Sequence, residues 1–265
     1  MFRQRLITTL ILVPLVLLAL YYATNLLFAS MITLLLLGCA VEWLQLIPLK
    51  QVVLKFAFIG IIFLLAWVSQ FAFNSWLFAG FIVWFLILVA VISFPASEAI
   101  WGHPLVVALA GLLVLPLFAQ SLINIHAQEQ GKALILYLLL LIWAADIGAY
   151  LAGKQWGRHK LIPAVSPGKT IEGSLGGFIL ALLIALIAYF YFQPQKRLVW
   201  FGIAAATALI SILGDLFISI LKRRAKLKDT GHLLPGHGGV LDRLDSLIAA
   251  SPLFYWSLRL LAPGQ

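Results

Sequence analysis

Residues 207–224 read TALISILGDLFISILKRR. Apolar side chains dominate, but Thr207, Ser211, Asp215, Ser219 and Lys222 recur every three or four positions. At 100° per residue they fall within an arc of about 120°, so the spacing predicts a helix with one polar stripe. The stretch belongs to a longer apolar run, 198–221, close to the roughly 20 residues a helix needs to cross a hydrocarbon core about 30 Å thick. A carboxyl group inside such a span costs about 2.5–3.5 kcal/mol, so Asp215 should face protein or water. The run stops at Lys222-Arg223-Arg224, which places the stripe's lower end at a basic membrane surface.

The rest of the chain repeats the apolar part of this pattern. Of its 265 residues 63% are hydrophobic and 10% charged, against roughly 45–50% and 25% in soluble domains. A soluble fold and a disordered chain are both excluded, and Cys39, the single cysteine, rules out a disulfide scaffold. Breaks at Pro, Gly, Asn and charged clusters divide the sequence into nine apolar segments: 6–23, 26–47, 53–70, 76–94, 105–125, 132–152, 174–192, 198–221 and 246–261. The expected fold is all-α and polytopic, a single membrane domain over 1–265. Residues 1–125 would form packing spans, and 126–265 the catalytic spans and loops. The first run is longer than a signal-peptide core and no A-x-A site follows, so it reads as a retained span.

Charge then sets the orientation. Four Lys/Arg fall in residues 1–131 and fourteen in 132–265. With the N-terminus inside, fourteen of the eighteen lie in inner segments and four (Lys132, Lys196, Arg197, Arg259) outside, as the positive-inside rule requires. The net charge of +9 is thereby assigned to a membrane face rather than to nucleic acid. Two spans separate the 153–173 and 222–245 loops, so these share a face whatever the count of earlier spans. Two further acids, Glu42 and Asp146, lie in apolar segments and read equally as interhelical glue or as functional groups. Gly173 and Gly177, spaced as GxxxG, read as helix packing.

Residues 219–246 read SILKRRAKLKDTGHLLPGHGGVLDRLDS. Five cations (Lys222, Arg223, Arg224, Lys226, Lys228) precede a turn of Pro235, Gly236, His237, Gly238 and Gly239, and Asp242-Arg243-Leu244-Asp245 follows. Glycine N–H groups, with no Cβ in the way, can cradle phosphate. Asp242 and Asp245 share a face if the segment is helical. Clustered carboxylates beside many cations suit a divalent metal that bridges to phosphate oxygens. Cations alone would read as headgroup binding, and the D-R-L-D run alone as a helix start. His232 and His237, in cationic surroundings with no cysteine near, do not suggest zinc. The second inner loop holds Ser166-Pro167-Gly168-Lys169-Thr170. Pro163 stands where a phosphate-binding P-loop has its first Gly, so that motif fails. A Ser/Lys/Thr cluster at a helix start remains, suited to an anion or to plain N-capping.

Ser219, Lys222, Arg223, Lys228, Asp229, His237, Gly238, Gly239, Asp242, Arg243 and Asp245 together resemble the signature of the phosphatidate cytidylyltransferase family, the CDP-diacylglycerol synthases. Residues 166–170 look like that family's second landmark. Before about residue 140 the likeness is one of hydropathy. The resemblance implies attack of a phosphatidate oxygen on the α-phosphorus of CTP at a bacterial inner membrane, with the site facing the cytoplasm. It implies Mg²⁺, admits a second cation such as K⁺, and implies a homodimer. Asp215, Asp242 and Asp245 would hold metal. Lys222 would act with them, and Ser166, Lys169, Thr170, Ser219, Arg223, Lys228, His237, Gly238, Gly239 and Arg243 would bind substrate. Asp229 would belong to the network around the cations. The stripe on 207–222 would offer the lipid a route, tails among the spans and headgroup at the surface. A CTP-dependent polyprenol kinase, an anion or lipid transporter and a structural scaffold are the rival readings. A CDP-alcohol phosphotransferase lacks the Asp-Gly pair its motif opens on.

Overall fold

A helix of 28 residues is about 42 Å long, more than a hydrocarbon core of about 30 Å requires. The segment carrying Asp215 is such a helix, Arg197–Arg224, and its surplus length ends in the basic turn Lys222, Arg223 and Arg224. In the computed structural model, which describes residues 13–231 and 238–261, the other helices precede and follow it along the chain. In chain order they are α1 (described over Val13–Tyr22), α2 (Asn25–Trp43), α3 (Val52–Ser69), α4 (Phe73–Ile92) and the short α5 (Glu98–Gly102). Then come α6 (Pro104–His126), α7 (Gly131–Trp156), α8 (Ile171–Phe192), α9 (Arg197–Arg224) and α10 (Leu241–Leu258). Among the described residues six apolar helical segments are long enough to cross a membrane; Val52–Ile92 counts as one of 41 residues. The protein is an all-α membrane protein.

Three local features depart from the sequence expectation. Ser166–Thr170 is not helical but forms β2, paired antiparallel with β1 (Lys160–Ile162), with Lys160 opposite Thr170. Pro167 explains this, because a proline disfavours helical backbone at the residue before it. Thr170 then caps α8: its Oγ1 accepts the Gly173 N–H at 3.1 Å. Helix α10 starts at Leu241 instead of 246, so Asp242, Arg243 and Asp245 lie on the helix itself. The upper stripe of α9 is sealed: Thr207 and Ser211 are 0% and 1% exposed, and Ser211 Oγ donates back to the Ala208 carbonyl at 2.8 Å. A lipid route along the whole stripe is therefore not present; only its lower end, from Asp215, opens.

Two packing devices place that end. Along α7 and α8 small residues bring backbones into contact. A Cβ on Gly148 would meet the Gly176 carbonyl at 2.6 Å, and one on Gly173 the Ala149 carbonyl at 2.8 Å, so the GxxxG spacing is a packing seam. On the opposite flank Phe217 of α9 is wholly buried between Trp43 of α2, Trp84 of α4 and Trp101 of α5, with ring centroids 6.3, 5.9 and 5.2 Å away. Trp43 is itself fixed, its Nε1–H donating to the Val107 carbonyl of α6 at 3.0 Å.

Candidate active site

The end of α7, the β-hairpin and the start of α8 meet the lower part of α9. Lys169, in β2, places Nζ 2.5 Å from Asp215 Oδ2, while Ser219 Oγ donates to Asp215 Oδ1 at 3.2 Å. The hairpin that carries Lys169 is held by Glu172 in the first turn of α8. Glu172 Oε2 accepts the Arg158 and His159 N–H groups at 3.1 and 3.2 Å, and Oε1 lies 2.6 Å from His159 Nδ1. Arg223 Nε donates to the Val165 carbonyl at the hairpin turn, 3.4 Å away. The two basic loops therefore share one face, as the spacing of the spans predicts.

A second ion pair lies beside the first. Lys222 Nζ is 2.6 Å from Asp242 Oδ1, with the two side chains 14% and 5% exposed. Asp242 Oδ2 accepts the N–H groups of Thr230 at 2.8 Å and Gly239 at 3.0 Å. Burial alone would push this carboxyl up, but Lys222 and the two N–H groups outweigh it and hold Asp242 below the usual carboxylate range. Helix α10 can come this close because Gly214 faces the Asp245 carbonyl, and a side chain there would collide with it. Asp245 is 9% exposed and its Oδ1 accepts the Ser246 N–H at 2.7 Å. It lies within electrostatic reach of Asp215, Lys222 and Lys169. Asp146 of α7 lies within electrostatic reach of Asp215, Lys169 and Arg243.

The remaining expected residues fall around these pairs. Ser166 is half-buried in β2, and Lys228 and Arg243 are exposed. Thr170 is buried, and its Oγ1 caps α8 by accepting the Gly173 N–H. Gly238 adopts φ +81°, a backbone that a side chain would strain, and the Asp229 side chain lies against it. His237 and His232 lie outside the described residues. Two residues unassigned from sequence also belong here. Thr230 links the loop to α10, and Glu42 of α2 binds the same segment through three hydrogen bonds. An acid in the apolar run CAVEW was the only hint of the second; nothing in the sequence singles out Thr230.

Asp215 lies on α9, and Asp242 and Asp245 lie on the first turns of α10, with Lys169 paired to Asp215 and Lys222 to Asp242. Among the described residues no group of three or more Asp, Glu, His or Cys side chains is arranged to hold a metal ion. Both oxygens of Asp242 are taken by Lys222 and backbone donors, which is the physical reason. Asp215 is engaged as well, by Lys169 and Ser219, but its side chain is 32% exposed, and Asp245 lies within its electrostatic reach. Two carboxylates suffice for Mg²⁺ when substrate phosphates and water complete its shell, so the donor set fits that ion.

This site is built from elements spread along the whole chain, and the likeness to known proteins extends as widely. Residues 3–261 match the cytidylyltransferase family. A protein of Haemophilus influenzae named phosphatidate cytidylyltransferase is 37% identical, covering 96% of this chain and 97% of its own. One of the same name from Pseudomonas aeruginosa is 36% identical over 96% of both. A third, from Staphylococcus aureus, is 45% identical over 48% of this chain and 50% of its own. The chain belongs to the cytidylyltransferase family.

Proposed function

We propose that the protein transfers the cytidylyl group of CTP to phosphatidate, giving CDP-diacylglycerol and pyrophosphate. The observation that carries this reading is the side-by-side arrangement of Lys169–Asp215 and Lys222–Asp242, which brings the hairpin and the 219–245 segment to one basic face. Full-length relatives named for this reaction support it. A phosphate oxygen of phosphatidate forms a bond to the α-phosphorus of CTP, the bond from that phosphorus to the β-phosphate oxygen breaks, and pyrophosphate leaves.

A lipid phosphate monoester carries roughly −1.5 to −2 charges and must approach a more anionic triphosphate, so repulsion dominates the barrier. Lys169 and Lys222 answer it by exchanging a carboxylate partner for phosphate oxygens, and Arg223, Lys228 and Arg243 add positive charge around them. Asp215 and Asp245 would hold Mg²⁺, with Asp242 joining where Lys222 turns to substrate; the ion supplies charge neutralisation between the reactants. A second, monovalent cation belongs to the same reading. An ionised phosphate is already nucleophilic, so no histidine base is required.

The finer membrane placement is part of the proposal: nine spans, N-terminus and active site at the cytoplasmic face of a bacterial inner membrane, in a homodimer. A single face for the site is supported by the ends of α2 and α9, the start of α10 and the hairpin between α7 and α8, which all meet at one end of the molecule. The test is a detergent-purified assay with phosphatidate, Mg²⁺ and CTP labelled at the γ-phosphate. Labelled pyrophosphate should appear and EDTA should stop it; label transferred to lipid would instead establish a lipid kinase. Asp215→Asn should insert normally and lose product formation by roughly 100-fold or more; turnover near wild type would remove Asp215 from the site.

A further inference from the structure

Helix α2 ends in Ala-Val-Glu-Trp, and Glu42 is 2% exposed. A buried carboxyl group is costly unless donors meet it, so its partners are informative. They all lie at the far end of the chain. Oε1 accepts the Val240 N–H at 2.9 Å; Oε2 accepts the Leu241 N–H at 2.7 Å and the Thr230 hydroxyl at 3.0 Å.

These donors are the ones the local sequence leaves unserved. The first N–H groups of a helix have no intrahelical acceptor, and they call for a capping side chain. At α10 the cap position is Val240, which has none to offer. Glu42 supplies the acceptor from another helix. Thr230 is gripped twice, its hydroxyl by Glu42 and its N–H by Asp242, so the two carboxyl groups tie both ends of the segment between Thr230 and Leu241. A Cβ on Gly231 or Gly239 would run into the Glu42 carboxyl group. Those glycines are the space the carboxyl needs.

We infer that Glu42 is a positioning residue for the transfer reaction: it fixes the first turn of α10 and thereby the orientation of Asp242 and Asp245. It touches no reacting atom, and the inference rests on the transferase reading. It gives the N-terminal spans a role in catalysis beyond packing.

The test uses the full chain, purified in detergent, as wild type, Glu42→Gln, Thr230→Val and Thr230→Ser. Glutamine keeps the shape but has one acceptor oxygen and turns an NH₂ group towards a donor. Its kcat should fall about tenfold or more, with the KM values for CTP and phosphatidate nearly unchanged. Hydrogen exchange at the Val240 and Leu241 amides should quicken in the same sample. Thr230→Val should move kcat and exchange in the same direction, and Thr230→Ser, which keeps the hydroxyl, should restore both. Should Glu42→Gln fail to fold, the Thr230 pair decides. Wild-type kcat in folded Glu42→Gln or Thr230→Val, or faster exchange without loss of kcat, would overturn the inference while the transferase reading stands. An inactive wild type would overturn both.

Discussion

Lys222 and Asp242 lie 20 positions apart, yet they form a nearly buried ion pair, 14% and 5% exposed. Breaking such a pair from one side leaves a charge with no partner, at a cost of about 3–5 kcal/mol, whereas removing both is often tolerated. Lys222→Met and Asp242→Asn should each lower the thermal midpoint in detergent. The double variant should recover most of that stability and none of the activity, because the pair also presents its charges to substrate. Equal stability losses that simply add would show the two to be independent. The residue scale is also where sequence reading reached furthest. The pairing of Lys169 with Asp215 and of Lys222 with Asp242 joins the two basic loops, whose shared face the spacing of the spans predicts. Sequence reading fell short at Glu42 and Thr230, because a hydrogen bond across 188 residues leaves no periodic trace in the chain.

Among the elements, α7 and α8 depend on glycine most. Their contact runs through Gly148, Gly173, Gly176 and Gly177, where added side chains would strike the facing backbone or Ala152. The hairpin that carries Lys169 is strung between these two helices, so their separation sets the reach of Lys169 to Asp215. Gly177→Leu should force the helices apart at a cost of roughly 1–3 kcal/mol or more. It should reduce the monodisperse fraction in size-exclusion chromatography and lower the specific activity of what remains; an unchanged elution profile with full activity would contradict the seam. Helices were legible from apolar run length. The hairpin was not: five residues between spans carry too little pattern to separate a strand from a helix start, and only Pro167 argued against helix. Helix α10 starts before its hydropathy boundary for a related reason. Its charged first turn reads as loop when hydropathy sets the boundary, whereas helical geometry continues through it.

For the molecule as a whole, orientation is the quantity that charge counting predicts and that labelling can check. Cys39 is the single cysteine and is buried, so its replacement by Ser gives a background for introduced thiols. Cysteines at Arg158 and Lys228 should react with an impermeant maleimide only after inverted vesicles are made, and one at Gln195 only in intact cells. Labelling of 158 and 228 from opposite sides would dismantle the shared face on which the mechanism depends.

The bond between Glu42 and Leu241 joins residues 199 positions apart. At about 5–20 residues per second of synthesis, the glutamate leaves the ribosome about 10–40 s before its partners exist. During that interval the emerging chain has to keep an acid hydrated at the bilayer boundary, and the completed enzyme inherits a checkpoint: no polypeptide truncated before α10 can close its own catalytic pocket, however well its earlier helices insert.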